Sequence, residues 1–354
     1  MKTLVVGGGP AGLSAAEKAS DIGRDVVLYD KDGYGDKGDR WNAWGGFVGD
    51  IGKVRQLNGD EEYISEIDEL IWNKKNGEKF KVEMDDAATI DRRKTERLWA
   101  QRLEKKGVEI RNKKVDAGEV ISLSESFDLM IDCSGAMPIS CKLNDIEAPS
   151  RAATGMSANI EGDFSDFYGQ MKVFPFGRDY LYVIPQSESR GTVGAGGPRT
   201  ADFGEIEQRI KKRCREEDIP VPEDFQTRLM PVAGGRSYPK CEYTIDDMTV
   251  RLAGDATSNL NGLVGFGFDR ACEQGEMAVK TDKVSDSYPK WLKKKYRSSR
   301  LQKIMFDRVH DELGHKFIVK LLGNLPGTTT HRLIDPDSTL ELLHGLRESV
   351  YHRS

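Results

Sequence analysis

Three glycines near the start of the chain are spaced for contact with a phosphate group. Gly7, Gly9 and Gly12 form a G-x-G-x-x-G pattern between a short apolar run and a helical pattern. In such a pattern the first glycine makes a tight turn, the second lets the backbone approach a pyrophosphate, and the third lets the helix pack on the strand. The N–H groups and dipole at the helix N-terminus favour an anion. The pattern predicts a dinucleotide site; the alternative is a glycine turn without a ligand.

An acidic residue stands where a dinucleotide site needs one. Asp30 ends the next predicted strand, close to the spacing of about 20 residues that is typical of this motif. A carboxylate there can accept hydrogen bonds from a pair of ribose hydroxyls. Asp30 is therefore a candidate ribose ligand.

A second glycine-rich segment lies far downstream and helps to decide whether the dinucleotide is FAD or NAD. A predicted strand ends in the sequence LAGDA at 252–256, and Gly265 and Gly267 come just before or at the start of a predicted helix. Asp255 can accept hydrogen bonds from a ribityl chain, and glycines at the start of a helix admit the edge of a flavin. Taken alone, the segment is more typical of a strand, a turn and a capped helix. Together with the first motif, it favours FAD.

The elements that must position these motifs alternate as in a parallel α/β sheet. Short apolar runs predict buried strands, and longer periodic segments between them predict helices. The predicted strands are 2–6, 26–29, 108–110, 127–132 and 249–253, and the predicted helices are 11–22, 90–106 and 265–282.

The pattern changes between about 150 and 245. Short alternating segments at 171–176, 180–184 and 192–195 predict an antiparallel sheet, interrupted by one helix at 202–217. Residues 31–60 predict a long ordered loop. We expect an FAD-binding domain in two parts with an inserted antiparallel-sheet substrate domain and a C-terminal helical region. The expected boundaries are 1–150 and 246–285 for the FAD-binding domain, 151–245 for the substrate domain, and 286–354 for the helical region.

Composition excludes several classes of function. The chain of 354 residues has a net charge of −5, so it lacks the basic excess typical of a nucleic-acid binder. It has no apolar run of 18 residues, which argues against a transmembrane helix. Its 5 cysteines are spread widely, so neither a disulfide framework nor a zinc site is expected, and a reducing cytoplasm is the simplest location. No metal site is predicted.

Several motifs together give the chain a specific resemblance. It resembles the geranylgeranyl reductase family of FAD-dependent oxidoreductases, within the wider aromatic-hydroxylase-like flavoprotein superfamily. The segments that carry the resemblance are the glycine turn at 7–12, the segment at 89–94, the strand at 127–135 followed by Ser140, the aromatic segment at 180–185, and the glycine-rich segment at 254–278.

The resemblance implies a role for particular residues. The pyrophosphate would be held by Gly7, Gly9, Ala11 and Gly12, and the adenosine ribose by Asp30. The residues expected elsewhere around FAD are Arg92, Val115, Gly254, Asp255, Gly265, Gly267 and Phe268. Those expected to line the substrate pocket are Tyr180, Tyr182 and Pro185.

The resemblance also implies an activity, namely reduction of carbon–carbon double bonds in a polyprenyl chain. Reduced FAD would give hydride to one alkene carbon, and the other would take a proton from an acid or an ordered water. The electron donor would be NADPH or a ferredoxin. Two alternatives stay open: an FAD-dependent monooxygenase or hydroxylase of the same fold, and a non-catalytic flavin-binding electron carrier.

The C-terminal region is unusually basic. Residues 290–320 contain ten lysines and arginines but only three acidic residues, and apolar residues recur there near helical spacing. A basic amphipathic helix can lie on anionic lipid. The pattern is more typical of an ordinary surface helix with a solvated basic face; the alternative is peripheral contact with the inner face of the membrane.

Overall fold

The computed structural model describes residues 1–34, 46–48, 64–73, 79–84, 87–143, 151–176, 179–197, 203–232, 240–258, 267–280 and 287–297. In chain order the strands are β1 Lys2–Val6, β2 Asp25–Asp30, β3 Gly46–Val48, β4 Ile64–Glu66, β5 Glu69–Asn73, β6 Lys79–Glu83, β7 Ala88–Ile90, β8 Glu109–Asn112, β9 Leu129–Asp132, β10 Arg151–Glu161, β11 Gln170–Phe176, β12 Asp179–Ser187, β13 Arg190–Gly197, β14 Gln226–Val232, β15 Glu242–Ile245 and β16 Met248–Leu252. The helices are α1 Pro10–Asp21, α2 Arg92–Lys105, α3 Ala117–Ser124, α4 Ile139–Leu143, α5 Phe203–Glu216, α6 Phe268–Lys280 and α7 Tyr288–Lys295.

A six-stranded sheet contains the glycine motif. Its order is β15-β16-β9-β1-β2-β8, and all neighbours are parallel except β15 and β16. Strand β1 is central, so Leu4, Val5 and Val6 are buried on both faces of the sheet. This explains why its sequence is a continuous apolar run and does not alternate. Helices α1 and α6 pack on this sheet and on each other.

The second large sheet has seven strands. Its order is β14-β10-β13-β12-β11-β5-β6, and its neighbours are antiparallel except for the parallel pair β11 and β5. Its two faces contribute to different clusters. On one face Leu181 and Val183 pack with residues of α5 such as Ile210, and on the other Tyr182 and Ile184 join a second apolar cluster.

A small antiparallel sheet, β3-β7-β4, lies next to β12 and leads into α2. None of the helices in the described ranges is long and apolar enough to cross a membrane.

The predicted α/β architecture, with a parallel Rossmann-like sheet and an antiparallel sheet, is confirmed. One predicted helix begins later than expected. Ile90 ends strand β7, and α2 starts at Arg92, because the Asp91 carboxylate accepts a hydrogen bond from the Lys94 N–H and caps the helix. The predicted loop at 31–60 contains strand β3, while most of its other residues lie outside the described ranges.

The sheets do not follow the expected segment boundaries in two places. Strands β5 and β6 lie within 1–150 but complete the seven-stranded sheet, and β15 lies within 151–245 but extends the six-stranded sheet. Short strands carry little local signal, and these two assignments depend on pairing partners that are distant in sequence. In the C-terminal region α7 is helical as predicted, and 298–354 lies outside the described residues.

Candidate functional site

The glycine turn after β1 is shaped by close backbone contacts. Gly7 has a φ of +98° and donates its N–H to the Tyr29 carbonyl at 2.8 Å. A Cβ on Gly7 would collide with the Cys133 carbonyl, and one on Gly12 would collide with the Gly7 carbonyl oxygen. The first and third glycines are therefore required by the fold, whether or not a ligand binds.

The N-terminus of α1 points out of this turn. Gly9 is the N-cap, Pro10 occupies the first turn, and the first turn holds no acidic side chain. A glycine N-cap has no side chain to accept the first amides of the helix, so these donors and the positive end of the helix dipole can meet an external anion. Ala11 is buried in the same turn.

Arg92 approaches this N-terminus from the start of α2. Its Nη2 would lie 3.7 Å from a Cβ placed on Gly9. Its Nε donates to Glu96 Oε1 at 2.7 Å, and the Glu96 side chain is buried. A guanidinium and a helix N-terminus thus converge on one point, which is the arrangement expected of a phosphate site.

Asp30 lies beside the glycine turn, as predicted, and is 6% exposed. One carboxylate oxygen accepts the Gly8 N–H at 2.7 Å, and the other accepts the N–H groups of Asp32 and Gly33, both at 2.9 Å. The Tyr34 hydroxyl donates to the Gly8 carbonyl at 2.7 Å. Asp30 therefore ties the end of β2 to the glycine turn, a structural role that the sequence motif did not reveal.

The downstream motif reaches the same region. Gly254 follows β16, has a φ of +66°, and begins a 3-10 turn at Gly254–Thr257. A Cβ on Gly254 would come within 2.8 Å of the Ala11 Cβ. Asp255 is half-buried in this turn. The glycine thus permits contact between the turn and the first turn of α1.

One side chain that sequence reasoning missed holds this turn. Gln274 on α6 is 1% exposed, and its Oε1 accepts the Gly254 N–H at 2.9 Å and the Thr257 hydroxyl at 2.8 Å. Only a three-dimensional contact reveals it, because a single glutamine in a helix has no distinctive pattern.

The start of α6 completes this part of the site. Gly267 and Phe268 lie at its N-terminus, and Phe268 is buried. The Ser14 hydroxyl of α1 donates to the Cys272 carbonyl at 2.8 Å, so the two helices are also linked by a hydrogen bond. Gly265 lies outside the described residues. Val115 is buried in the core of the six-stranded sheet, where its side chain has a packing role.

A buried carboxylate lies at the end of β9, next to Cys133, whose carbonyl packs against Gly7. Asp132 is fully buried; one oxygen accepts the Ser134 N–H at 3.0 Å and the Ser134 hydroxyl, and the other accepts the Ser140 N–H at 2.9 Å and the Ser140 hydroxyl. Burial and the nearby Asp132 charge raise the pKa of the Cys133 thiol well above its ordinary value. These hydrogen bonds hold the loop after β9 in place. In the sequence, the only sign of this loop structure was the spacing of Asp132, Ser134 and Ser140.

The predicted substrate residues lie on β12. Tyr182 is buried in an apolar cluster, with its hydroxyl against Gly194, and Tyr180 is half-buried with its ring centroid 6.3 Å from that of Tyr182. The Pro185 carbonyl accepts the Thr89 hydroxyl at 2.9 Å. This bond links the seven-stranded sheet to β7, which precedes α2 and Arg92.

The chain is similar in sequence and in fold to several known proteins. A family model described as an NAD(P)-binding Rossmann-like domain matches residues 5–36, which contain the end of β1, the glycine turn, α1 and β2. The chain is 24% identical over 359 aligned positions to digeranylgeranylglycerophospholipid reductase 2 of Methanopyrus kandleri, an alignment that covers 89% of this chain and 83% of the relative.

Solved structures share the fold. A geranylgeranyl bacteriochlorophyll reductase-like protein from Thermoplasma acidophilum superposes with a TM-score of 0.64 at 16% identity, covering 94% of this chain and 90% of that one. The protein CtdE, solved in complex with FAD, superposes with a TM-score of 0.57 at 15% identity, covering 97% of this chain and 99% of that one. The resemblance predicted from the motifs is thus confirmed: the chain is similar, over most of its length, to reductases named for geranylgeranyl lipids.

Proposed function

We propose that this protein is an FAD-dependent oxidoreductase that reduces carbon–carbon double bonds in the geranylgeranyl chains of a lipid. The observation that carries the proposal is that Arg92 and the Gly254 turn both approach the N-terminal turn of α1, beside Gly9 and Ala11 respectively. The named activity of the Methanopyrus relative supports the substrate class.

The residues at this point fit the pyrophosphate of FAD. Gly9 leaves the helix amides without a side-chain cap, and the nearby Arg92 guanidinium provides a permanent positive charge. In addition, Gly254 allows the turn that holds Asp255 to approach the first turn of α1. An extended dinucleotide needs such an anchor for its charged centre and a second polar group further along its length.

The predicted residues of the two glycine-rich segments would contact different parts of FAD. The backbone from Gly7 to Gly12 would surround the pyrophosphate, Asp30 would contact the adenosine ribose while holding the glycine turn, and Asp255 would meet the ribityl–phosphate region. Gly267 and Phe268 at the start of α6 would lie near the flavin ring.

Bound FAD, once reduced by the electron donor, would supply the hydride for one alkene carbon, and an acid or an ordered water would supply the proton for the other. The redox chemistry is therefore that of the cofactor. The chain's part is to bind and orient the lipid and to exclude water. The half-buried Tyr180 would contact the lipid, and the buried apolar cluster that includes Val173, Tyr182 and Ile184 would support it from behind.

The activity can be tested on the purified protein. We would record its visible spectrum, reduce it with dithionite, incubate it with digeranylgeranyl glycerophospholipid, and analyse the lipid by mass spectrometry. The expected result is a flavin spectrum and a product that gains two hydrogens for each reduced bond. A flavin spectrum with no saturation would favour the monooxygenase or carrier alternatives, which oxygen consumption with NADPH would then separate.

A matched pair of variants tests the site. Arg92→Met removes the charge beside Gly9, and Lys105→Met removes one from the exposed C-terminal end of the same helix. We expect Arg92→Met to lose FAD on purification and Lys105→Met to retain it. Equal retention by the two variants would contradict the assignment of Arg92.

The electron donor is the second part of the proposal. NADPH and a reduced ferredoxin are the two candidates, and anaerobic bleaching of the flavin by each would identify the donor. Bleaching by neither would leave only an artificial reductant and would count against a reductase.

We further propose that the protein works in the cytoplasm, at the inner face of the membrane. On α7 and just beyond it the residues Lys290, Lys293, Lys294 and Arg297 are exposed on one side of the helix. On the opposite side Tyr288, Leu292 and Tyr296 are buried. The helix is thus held by its apolar side while a row of cations is available to anionic headgroups.

A further inference from the structure

We propose that Glu96 is a positioning residue, which orients the Arg92 guanidinium toward the N-terminus of α1. This inference rests on the proposed function, because it concerns how the chain prepares its contact with the pyrophosphate of FAD. Glu96 itself would touch neither cofactor nor lipid. It would act only through Arg92.

The geometry assigns the two edges of the guanidinium to different tasks. Glu96 Oε1 accepts from Nε at 2.7 Å, one helical turn after Arg92 on α2. Among the described residues neither terminal nitrogen of Arg92 has a hydrogen-bond partner. Because the guanidinium is planar and rigid, fixing Nε also fixes the direction of the terminal nitrogens. One of these, Nη2, lies beside Gly9.

The surroundings keep this pair in place. The side chains of Arg92 and Glu96 are 17% and 4% exposed, so solvent competes little for their hydrogen bond. The start of α2 is itself fixed by the Asp91 cap. A freely rotating arginine would lose side-chain entropy on binding an anion. Arg92, already held by Glu96, has lost this entropy on folding, so binding costs less.

Charge and position predict opposite effects of changing Glu96. The carboxylate offsets the positive charge of Arg92, so on charge alone its removal would strengthen binding of an anion. On position alone, loss of the hydrogen bond would weaken it. Two conservative substitutions separate these effects. Glu96→Gln keeps an oxygen within reach of Nε and loses the charge, and Glu96→Asp keeps the charge but is one methylene shorter.

The experiment titrates FAD into the flavin-free full-length protein and follows flavin fluorescence, with riboflavin, which has no pyrophosphate, as the second ligand. We expect Glu96→Asp to weaken FAD binding about tenfold, which corresponds to about 1.4 kcal/mol. We expect Glu96→Gln to bind FAD within about threefold of the parent protein, because it retains a hydrogen-bond acceptor for Nε. Riboflavin binding should be unchanged in both.

The Arg92→Met background tests whether Glu96 acts through Arg92. There, Glu96→Asp should cause no further loss of FAD affinity, because the group that it positions is absent. Tighter binding by Glu96→Gln with no loss in Glu96→Asp, or equal losses for riboflavin, would overturn the inference. If the parent protein bound no FAD, the proposed function would fail; if it bound FAD while Glu96→Asp bound equally well, only the role of Glu96 would fail.

Discussion

Gln274 shows how much of the site depends on single side chains. Its buried amide oxygen is shared by the Gly254 N–H and the Thr257 hydroxyl, which lie at the two ends of one short turn. Neither donor is solvent-accessible enough to find water easily, since both residues are buried. The Thr257 hydroxyl also lies 2.9 Å from the Gly254 carbonyl, so the Gly254 N–H is the donor that depends on Gln274.

Replacing Gln274 by Met should expose that dependence. Methionine has a similar length but cannot accept these bonds, so the buried Gly254 N–H would be left unsatisfied at a cost of about 1–3 kcal/mol. The Thr257 hydroxyl would keep the Gly254 carbonyl, at 2.9 Å, as its acceptor. We expect a lower free energy of unfolding in urea and weaker binding of FAD. Gln170→Met, at a half-buried position on the other sheet, is the matched control. Equal unfolding free energies for the two variants would contradict this role of Gln274.

The cysteines are predicted to be unreactive in the folded protein. Burial raises the pKa of the Cys133 thiol well above its ordinary value and that of Cys141 and Cys214 to about 11 in each case. Because the thiolate is the nucleophile, labelling by iodoacetamide at pH 8 should be slow in the native protein and fast in denaturant. Rapid native labelling of any of the three would contradict the raised pKa of that thiol.

The same shifts give a pH dependence of stability. A folded pKa above the unfolded value means that the unfolded chain releases its thiol protons first as the pH rises. The free energy of unfolding should therefore decrease as the pH rises from about 9, the ordinary pKa of a thiol, to about 11, the pKa of Cys141 in the folded protein. Urea unfolding across this range, with Cys141→Ala as control, measures the effect. If the unfolding free energy of Cys141→Ala decreased with pH as steeply as that of the parent protein, the decrease would be due to other groups.

At the level of helices, the crossing of α1 and α6 is the closest contact in the site. Gly275 allows the backbone of α6 to meet the Ala11 carbonyl, with which a Cβ would collide, and Ser14 bonds to α6 nearby. The backbone of α1 surrounds the predicted pyrophosphate site, and α6 carries Gln274. A change in their separation would move both halves of the site together.

Gly275→Ala should therefore destabilise the protein although alanine is the better helix former. The added methyl group meets backbone atoms that cannot turn away, and overpacking of this kind costs about 1–3 kcal/mol. Gly118→Ala in α3 is the control: its Cβ would contact only Asp116 Oδ1 at 3.4 Å, so a gain of about 0.5–1 kcal/mol is expected. Unfolding in urea measures both. A stabilising Gly275→Ala would show that α1 and α6 can separate.

Sequence patterns predicted the elements whose signals are local. Strand β1, helix α1 and strand β2 follow from one continuous stretch of apolar runs and glycines, and β16 follows from its own buried run. Strands β5 and β6 were missed because they are short and become part of a sheet only through pairing such as that of Leu70 with Met171, 101 residues later in the chain. Similarly, Glu96 and Gln274 matter through contacts that no spacing rule specifies.

For the complete chain, the distribution of charge matters more than its sum. The net charge is −5, yet the exposed side of α7 and the residue just beyond it present four cations. A surface of this kind should bind anionic membranes although the net charge of the chain is negative. Charges further than about one Debye length, roughly 10 Å, from the bilayer are screened, so the cations nearest to it decide the interaction. The orientation of the protein would then be set by α7.

Sedimentation with lipid vesicles tests this. We expect the protein to sediment with phosphatidylglycerol vesicles and to stay in solution with phosphatidylcholine. Each cation near the surface contributes about 1 kcal/mol, so changing Lys290, Lys293, Lys294 and Arg297 to Gln should abolish sedimentation. The same change at the exposed Lys105, Lys114, Lys212 and Lys240 is the control with equal total charge. If the two quadruple variants sedimented equally, α7 would not be the contact surface.

The exchange of strands between segments has a consequence for synthesis of the chain. Strand β1 is flanked by β2 and β9, and β5 pairs with β11, so each sheet needs partners that are made long after its first strands. A nascent chain on the ribosome therefore carries unpaired strand edges for much of its translation, and such edges invite association with other chains. Truncated fragments that end between these partners would carry the same edges permanently, which makes this protein a natural client for chaperones that shield open β-strands.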